Sequence, residues 1–184
     1  MMKDWKKIET PVSGGLITSL STGDRLLLSG IVYAARDKAH ERLCAMAARG
    51  ETLPFDPAGQ LVYYMGPSPA PPGKVIGAAG PTTSYRMDPF TEGILKMGVR
   101  GMIGKGRRDA ATRGLLQKYG AVYFATFGGA GAYLAKRITE STLIAFEDLG
   151  AEAIYRLRVE DFPLIVVDDT HGCDLYEDVL RNRE

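Results

Sequence analysis

Between residues 61 and 138, short apolar runs alternate with segments of helical period, and this alternation restricts the fold more than any other feature of the chain. The runs "LVYYM" (61–65), "VIGAA" (75–79), "VRGMIG" (99–104) and "AVYFATF" (121–127) have the length and composition of strands. Between and after them lie helical patterns. Asp88 suits an N-cap with Pro89 as first helical residue. The helix runs to about Met97, with Phe90, Ile94 and Met97 inward and Gly98 as its stop. "DAATRGLLQKYG" (109–120) is a second helix, and "GGAGAYLAKRI" (128–138) a third, opened by glycines. A strand that continues through a helix into the next strand pairs in parallel, because the crossover returns the chain to the same end of the sheet. The expectation is an α/β fold with a mixed, partly parallel sheet and flanking helices.

The flanks extend this pattern. "DRLLLSGIVYAA" (24–35) reads as one long strand or a bent strand pair, followed by a helix "DKAHERLCAMAARG" (37–50). Asp37 suits its N-cap, Leu43, Met46 and Ala47 its apolar stripe, and Gly50 the position past its end. "AIYRLRVE" (153–160) and "LIVVDD" (164–169) read as two strands before a short helix from Asp174, so antiparallel strands are expected at both ends. "GPSPAPPGK" (66–74) excludes helix and central strand and reads as a surface loop, not a domain boundary. Residues 1–184 are therefore expected to form one domain, large enough to bury roughly 70% of its unfolded surface.

Charge excludes several partner classes. The 23 Lys and Arg against 22 Asp and Glu are interspersed, leaving no electrostatic footprint for nucleic acid or a membrane surface. Runs such as "LIVV" (164–167) are too short to span a bilayer, and "MMKDWKKIET" lacks the apolar core of a leader. The two cysteines, Cys44 and Cys173, without a secretory signal, point to a reducing compartment, hence a cytoplasmic location.

Polar groups collect where strands give way to helices. Arg36 follows one strand, and Thr82, Thr83, Ser84 and Arg86 follow the next. Lys105 follows "VRGMIG", and "FGGAGA" opens a helix after another strand. In a parallel sheet these junctions share the carboxyl edge, where open α/β sheets bind ligands. Two arginines, a lysine, hydroxyls and helix N-termini are donors suited to an anion. Singly, each has a plainer role: Arg36 as a surface snorkeller, Thr82 to Ser84 as turn and capping hydroxyls, His40 as a solvated or capping histidine. "GGAGA" does not fit a dinucleotide fingerprint and reads as close helix–sheet packing. "DDTHGCD" (168–174) matches no zinc spacing and reads as a strand end and turn.

Four motifs together carry a resemblance. "ARDKAH" (35–40), "GPTTSYRMD" (80–88), "GMIGKG" (101–106) and "FATFGGAGAYLA" (124–135) resemble the C-terminal domain, or separate β subunit, of the iron–sulfur class I fumarases. The L-tartrate dehydratase β subunit shares them. The resemblance spans nearly the whole chain and implies a swivelling β/β/α domain with hydro-lyase chemistry, the reversible hydration of fumarate to L-malate. It also implies that Arg36 and Arg86 hold substrate carboxylates and that Lys105 is a further substrate contact, with Thr82 at the proton-transfer position and Thr83 and Ser84 among the substrate-binding hydroxyls. His40, which closes the R-D-x-A-H motif, is a candidate acid or base. The family's [4Fe–4S] cluster is held by three cysteines of the other domain, and Cys44 and Cys173 lie in no cluster motif. The resemblance thus implies a cysteine-bearing α subunit, arranged as α₂β₂, that carries the cluster. Two other readings stay open: the tartrate enzyme, or a hydratase of a methylated dicarboxylate, on one side, and a free-standing anion-binding module on the other.

Overall fold

A computed structural model describes residues 5–181 of the chain. The first four residues, on which part of the leader reading rests, lie outside the described residues. Seven strands form one mixed sheet: β1 (Lys6–Glu9), β2 (Arg25–Ala34), β3 (Leu61–Tyr63), β4 (Gly101–Gly104), β5 (Val122–Ala125), β6 (Ile138–Ala145) and β7 (Ile154–Asp168). β2, β3, β4 and β5 are parallel neighbours in that order. β7 runs antiparallel to β5 and also to β2, which closes these five strands into a barrel. β1 extends β2 beyond the barrel in parallel, and β6 extends β7 antiparallel. The antiparallel expectation therefore holds at the C-terminal end alone.

Closure depends on two bends at one level. β2 shifts register between Leu28 and Gly30, where Gly30 has φ 108° and Thr10 packs against it. Opposite, Asp161 takes φ 45° within β7. A bulge adds local twist and bends the strand, which a small barrel requires. For the same reason the two strands expected from 153–160 and 164–169 are one strand, bent where the apolar alternation breaks at "ED".

Alternation along the strands separates two cores. Leu28, Val32, Leu61, Tyr63, Ile103, Phe124, Leu157, Phe162 and Leu164 fill the barrel. Their neighbours Tyr33, Val62, Tyr64, Met102 and Tyr123 point outward, under the helices. That outer layer is α2 (Asp37–Ala48), α3 (Thr91–Lys96) and α4 (Ala110–Tyr119); the remaining helices are α1 (Gly14–Thr18), α5 (Gly131–Ala135) and α6 (Leu175–Arg181). α4 has the ends expected of it, with the Asp109 side chain accepting from Thr112 N and Gly120 left-handed at φ 60°.

Other expectations are corrected. "VIGAA" is not a strand: residues 66–80 form an irregular strap in which Ser68 bonds Ala78 through both backbone and side chain. Gly77 packs against the Ser68 and Pro69 carbonyls, where a side chain would overlap them. Asp88 is not an N-cap, because a 3₁₀ segment (Ser84–Phe90) containing Pro89 precedes α3. On α2 the buried residues are Ala39, His40 and Leu43, while Met46 is half-buried and Ala47 exposed. β1 and β6 follow no period clear enough to read from sequence.

Candidate functional site

The carboxyl ends of β2, β3, β4 and β5 meet at one end of the barrel, and each carries polar residues into the next segment. After β2, Arg36 stands at the N-cap position of α2 in extended conformation, with no side-chain cap. Asp37, expected to cap, is instead the first helical residue and turns its carboxylate toward two arginines. Arg86 Nη2 donates to Asp37 Oδ2 at 2.8 Å, and Arg36 Nε lies 3.8 Å from Asp37 Oδ1. On its other side Arg36 Nη2 lies 3.0 Å from Glu152 Oε1, in the 3₁₀ segment Glu147–Glu152 that precedes β7. Arg36 and Arg86, fifty residues apart in sequence, are thus joined by one carboxylate. A pocket of about 310 Å³ lies beside them, walled by Asp37, Lys38, Glu41, Arg86, Pro89 and Phe90.

The second half of the edge is a backbone join. Thr82 N donates to Tyr64 O at 2.7 Å, directly after β3. Thr83 and Lys105 then form a parallel bridge, with Ser84 N donating to Lys105 O at 3.0 Å. The Thr82 and Thr83 hydroxyls and Lys105 Nζ make no hydrogen bond or ion pair with another described residue. Lys105 adjoins Gly128 of the loop after β5 and does not wall the pocket beside Arg86. The loop "FGGAGA" behaves as its composition suggests: Gly131 packs closely on the backbone of Ala79 and Gly80, where a side chain would be a tight fit.

Two sequence candidates sit beneath this surface. Ser84 is fully buried, and its Oγ accepts from Lys105 N at 3.0 Å while lying 2.9 Å from the Tyr123 hydroxyl. Gly104 leaves the room for that hydroxyl; a Cβ there would overlap Ser84 Oγ. His40 is 1% exposed, not solvated as expected. Its Nδ1 lies 2.7 Å from the Arg36 carbonyl, which can only accept, so Nδ1 carries the proton and Nε2 a lone pair. Nε2 is buried without a partner, and the ring stands edge-on to Tyr64. Burial depresses its pKa to about 4, with the nearby Arg108 charge acting in the same direction. A neutral imidazole under Arg36 fixes the first turn of α2 and does not present a proton at the surface.

The sequence reading missed Arg108 and Glu152. Arg108 is 5% exposed, with its Nε 2.5 Å from Asp88 Oδ1 and its Nη2 2.8 Å from Thr91 Oγ1. Its guanidinium also packs over the rings of Tyr64 and Tyr123. It ties the Lys105 loop to the segment bearing Arg86. The doubled arginine in "GKGRRD" was its only visible sign. For Glu152 no local sign exists, since it meets Arg36 only through the fold.

Cysteine positions bear on the cluster. Cys44 is half-buried on α2, its Sγ 3.8 Å from the Phe90 carbonyl, while Cys173 is exposed after β7. Burial pushes the Cys44 thiol up, and the Asp169 carboxylate does the same for Cys173. Among the described residues no group of three or more His, Cys, Asp or Glu is placed to hold a metal ion. These residues do not fit an iron–sulfur cluster. "DDTHGCD" is the expected turn, in which Asp169 Oδ1 accepts from His171 N and Cys173 N.

The sequence model of the family described as Fumarase C-terminus matches residues 6–179. The chain belongs to this family. Within it, the chain is 36% identical over 166 residues to fumarate hydratase 2 of Leishmania major, covering 89% of this chain and 29% of that protein. It is 35% identical to the aerobic class I fumarate hydratase of Salmonella typhimurium over 84% of this chain and 27% of that one. The chain thus spans less than a third of the length of these fumarate hydratases. A putative L(+)-tartrate dehydratase subunit beta of Methanocaldococcus jannaschii is different in extent: 36% identity covers 89% of this chain and 87% of that one. No helix among the described residues is long and apolar enough to cross a membrane.

Proposed function

We propose that this fumarase C-terminal domain is the dicarboxylate-binding half of a hydro-lyase, interconverting fumarate and L-malate together with a cysteine-bearing α chain in an α₂β₂ assembly. The observation that carries the reading is the meeting of Arg36 and Arg86 on Asp37 at the carboxyl edge. Thr82, Thr83 and Lys105 line the adjoining strand ends with unpaired donors. Arginine forks hold a carboxylate through two parallel hydrogen bonds and so fix the orientation of the carbon–carbon bond between two such groups. Lys105 adds a compact charge on the same edge. Thr82, whose backbone is fixed by Tyr64, presents its hydroxyl for proton transfer at the carbon next to a carboxylate. In this reading the [4Fe–4S] cluster belongs to the partner, since the two cysteines of this chain, Cys44 and Cys173, lie in no cluster motif.

Tartrate is the second substrate in this reading, favoured by the match in extent to a separate tartrate dehydratase subunit. Co-expression with a cysteine-bearing α chain under anaerobic conditions, followed by assays on fumarate, L-malate and tartrate, tests both. Turnover only in the presence of both chains is expected; turnover by this chain alone, or none with either substrate, overturns the reading. Thr82→Val keeps the shape and removes the hydroxyl. It is expected to lower turnover roughly 10²-fold, the scale of a positioned proton-transfer group. Solvent deuterium exchange into malate at the wild-type rate in this variant would assign the hydroxyl to binding instead.

A further inference from the structure

The two arginines are balanced in charge but largely unused as hydrogen-bond donors. Arg36 is flanked by Glu152 at 3.0 Å and Asp37 at 3.8 Å, yet its Nε is buried without a hydrogen-bond partner. Facing atoms share this state, for Asp37 Oδ1 and Glu152 Oε2 are also buried and unpartnered. Arg86 gives a single N–H to Asp37 and keeps the rest of its five-donor fork, with 40% of its side chain exposed. Buried polar atoms left without partners are costly and rare. Here one belongs to the Arg36 guanidinium and two to the carboxylates beside it, at the edge where this reading places substrate.

From this we infer that Asp37 and Glu152 are positioning residues: Asp37 sets the placement of Arg36 relative to Arg86, and Glu152 braces Arg36 from the opposite side. The inference rests on the dicarboxylate reading of the same site. An acid beside an arginine can act in either of two ways. It can compete with a ligand carboxylate for the fork, or it can orient the fork and leave its donors free. The geometry favours the second. Asp37 takes one N–H of Arg86 and leaves the rest of that exposed fork open to a ligand, while Glu152 faces Arg36 through Nη2 alone. Asp37 also cannot withdraw easily, because it is anchored in the first turn of α2, which His40 clamps at the Arg36 carbonyl. Glu152 closes the segment that leads into β7, beyond a break at Gly150 (φ 58°), while Arg42 straps the part before that break to α2 through a bidentate pair with Asp148.

The two modes give opposite signs. In the enzyme assembled with its α chain, Asp37→Asn removes a charge with almost no change of shape. As a positioning residue its loss should raise KM for fumarate and L-malate about tenfold, the scale of one charge-assisted hydrogen bond, with a smaller fall in kcat and an unchanged Tm. Glu152→Gln should raise KM in the same direction by roughly threefold to fivefold, since it braces one arginine only. An unchanged KM, or a lower one as expected of a competing carboxylate, overturns the inference. Arg36→Lys and Arg86→Lys separate it from the underlying reading. If both keep wild-type kinetics, the dicarboxylate site itself is wrong and the positioning roles fall with it. If they are impaired while Asp37→Asn and Glu152→Gln are not, the site stands and the positioning alone is wrong.

Discussion

The inner and outer faces of the barrel use the same strands for opposite purposes. Inside, Leu61, Tyr63, Ile103, Phe124, Leu157 and Phe162 make a dry core whose one phenol, on Tyr63, donates to the Ala79 carbonyl. Outside, one residue away along the chain, Tyr64, Tyr123 and their neighbours pack on His40, Ser84, Arg108 and Thr91, all buried. The inner face is held by packing, which is non-directional. The outer face is held partly by directional contacts that link the loops bearing Lys105, Arg86 and Arg36. Stability is concentrated on one side and registration of the edge on the other, one residue apart in sequence.

Phe124→Ala is expected to break the inner side most severely. The ring is fully buried against Gly101, and large-to-small truncation there costs about 4 kcal/mol, read as a lower urea midpoint. The cost should be equal at pH 6 and pH 8, since no titrating group is involved. A cost under about 1 kcal/mol would show that the interior is not close-packed. On the outer side Arg108→Met leaves the half-buried Asp88 carboxylate without its guanidinium and should cost about 3 kcal/mol. Adding Asp88→Asn should recover a large part of that, because the penalty lies mainly in the stranded charge. Failure of the double variant to recover would mean that Arg108 acts through its packing on Tyr64 and Tyr123.

Protonation sharpens the comparison with smaller effects. His40 is held near 4 by burial against an ordinary 6.5, so the unfolded chain binds the extra proton between these values. Its contribution is complete above about pH 6.5 and is lost as pH falls through 4. Asp168 has the opposite sign. Burial, reinforced by Asp174, raises it from 3.8 to about 7, and both its oxygens lack partners. The folded protein then binds the extra proton, and this contribution is complete below about pH 3.8 and lost as pH rises through 7. Asp168→Asn should therefore match the wild type near pH 4 and exceed its stability at pH 8 by on the order of 2 kcal/mol, measured by urea unfolding. A difference that is constant across pH would place the Asp168 carboxyl in its ordinary range.

Much of the edge could be read from the chain because the signals involved are local. Arg36 and Lys105 follow β2 and β4, and the period-2 to period-3.6 changes mark those junctions without reference to partners, whereas Thr82 and Arg86 reach the edge through the strap 66–80. The same logic placed α2 and α4 well. It failed at "VIGAA", where strand-like composition was overruled by a close backbone approach to Ser68 and Pro69. It also missed the burial of His40, since a polar residue near a helix start reads as solvated unless its tertiary cover is known.

By itself the sequence determined the α/β order, the parallel direction of β2, β3, β4 and β5, and the concentration of donors at their carboxyl ends. Periodicity settles these, because it records which side of each element must avoid water. Only the tertiary structure decided that β7 closes the sheet on β2, with Arg25 opposite Ile165 and Ala34 opposite Tyr155. It alone decided that one carboxylate serves both Arg36 and Arg86, that Glu152 reaches Arg36, and that Arg108 lies buried under the Lys105 loop. Those pairings join residues far apart in sequence, and no local period carries a record of distant neighbours. They are set by barrel closure, which first brings the strand ends within reach of one another.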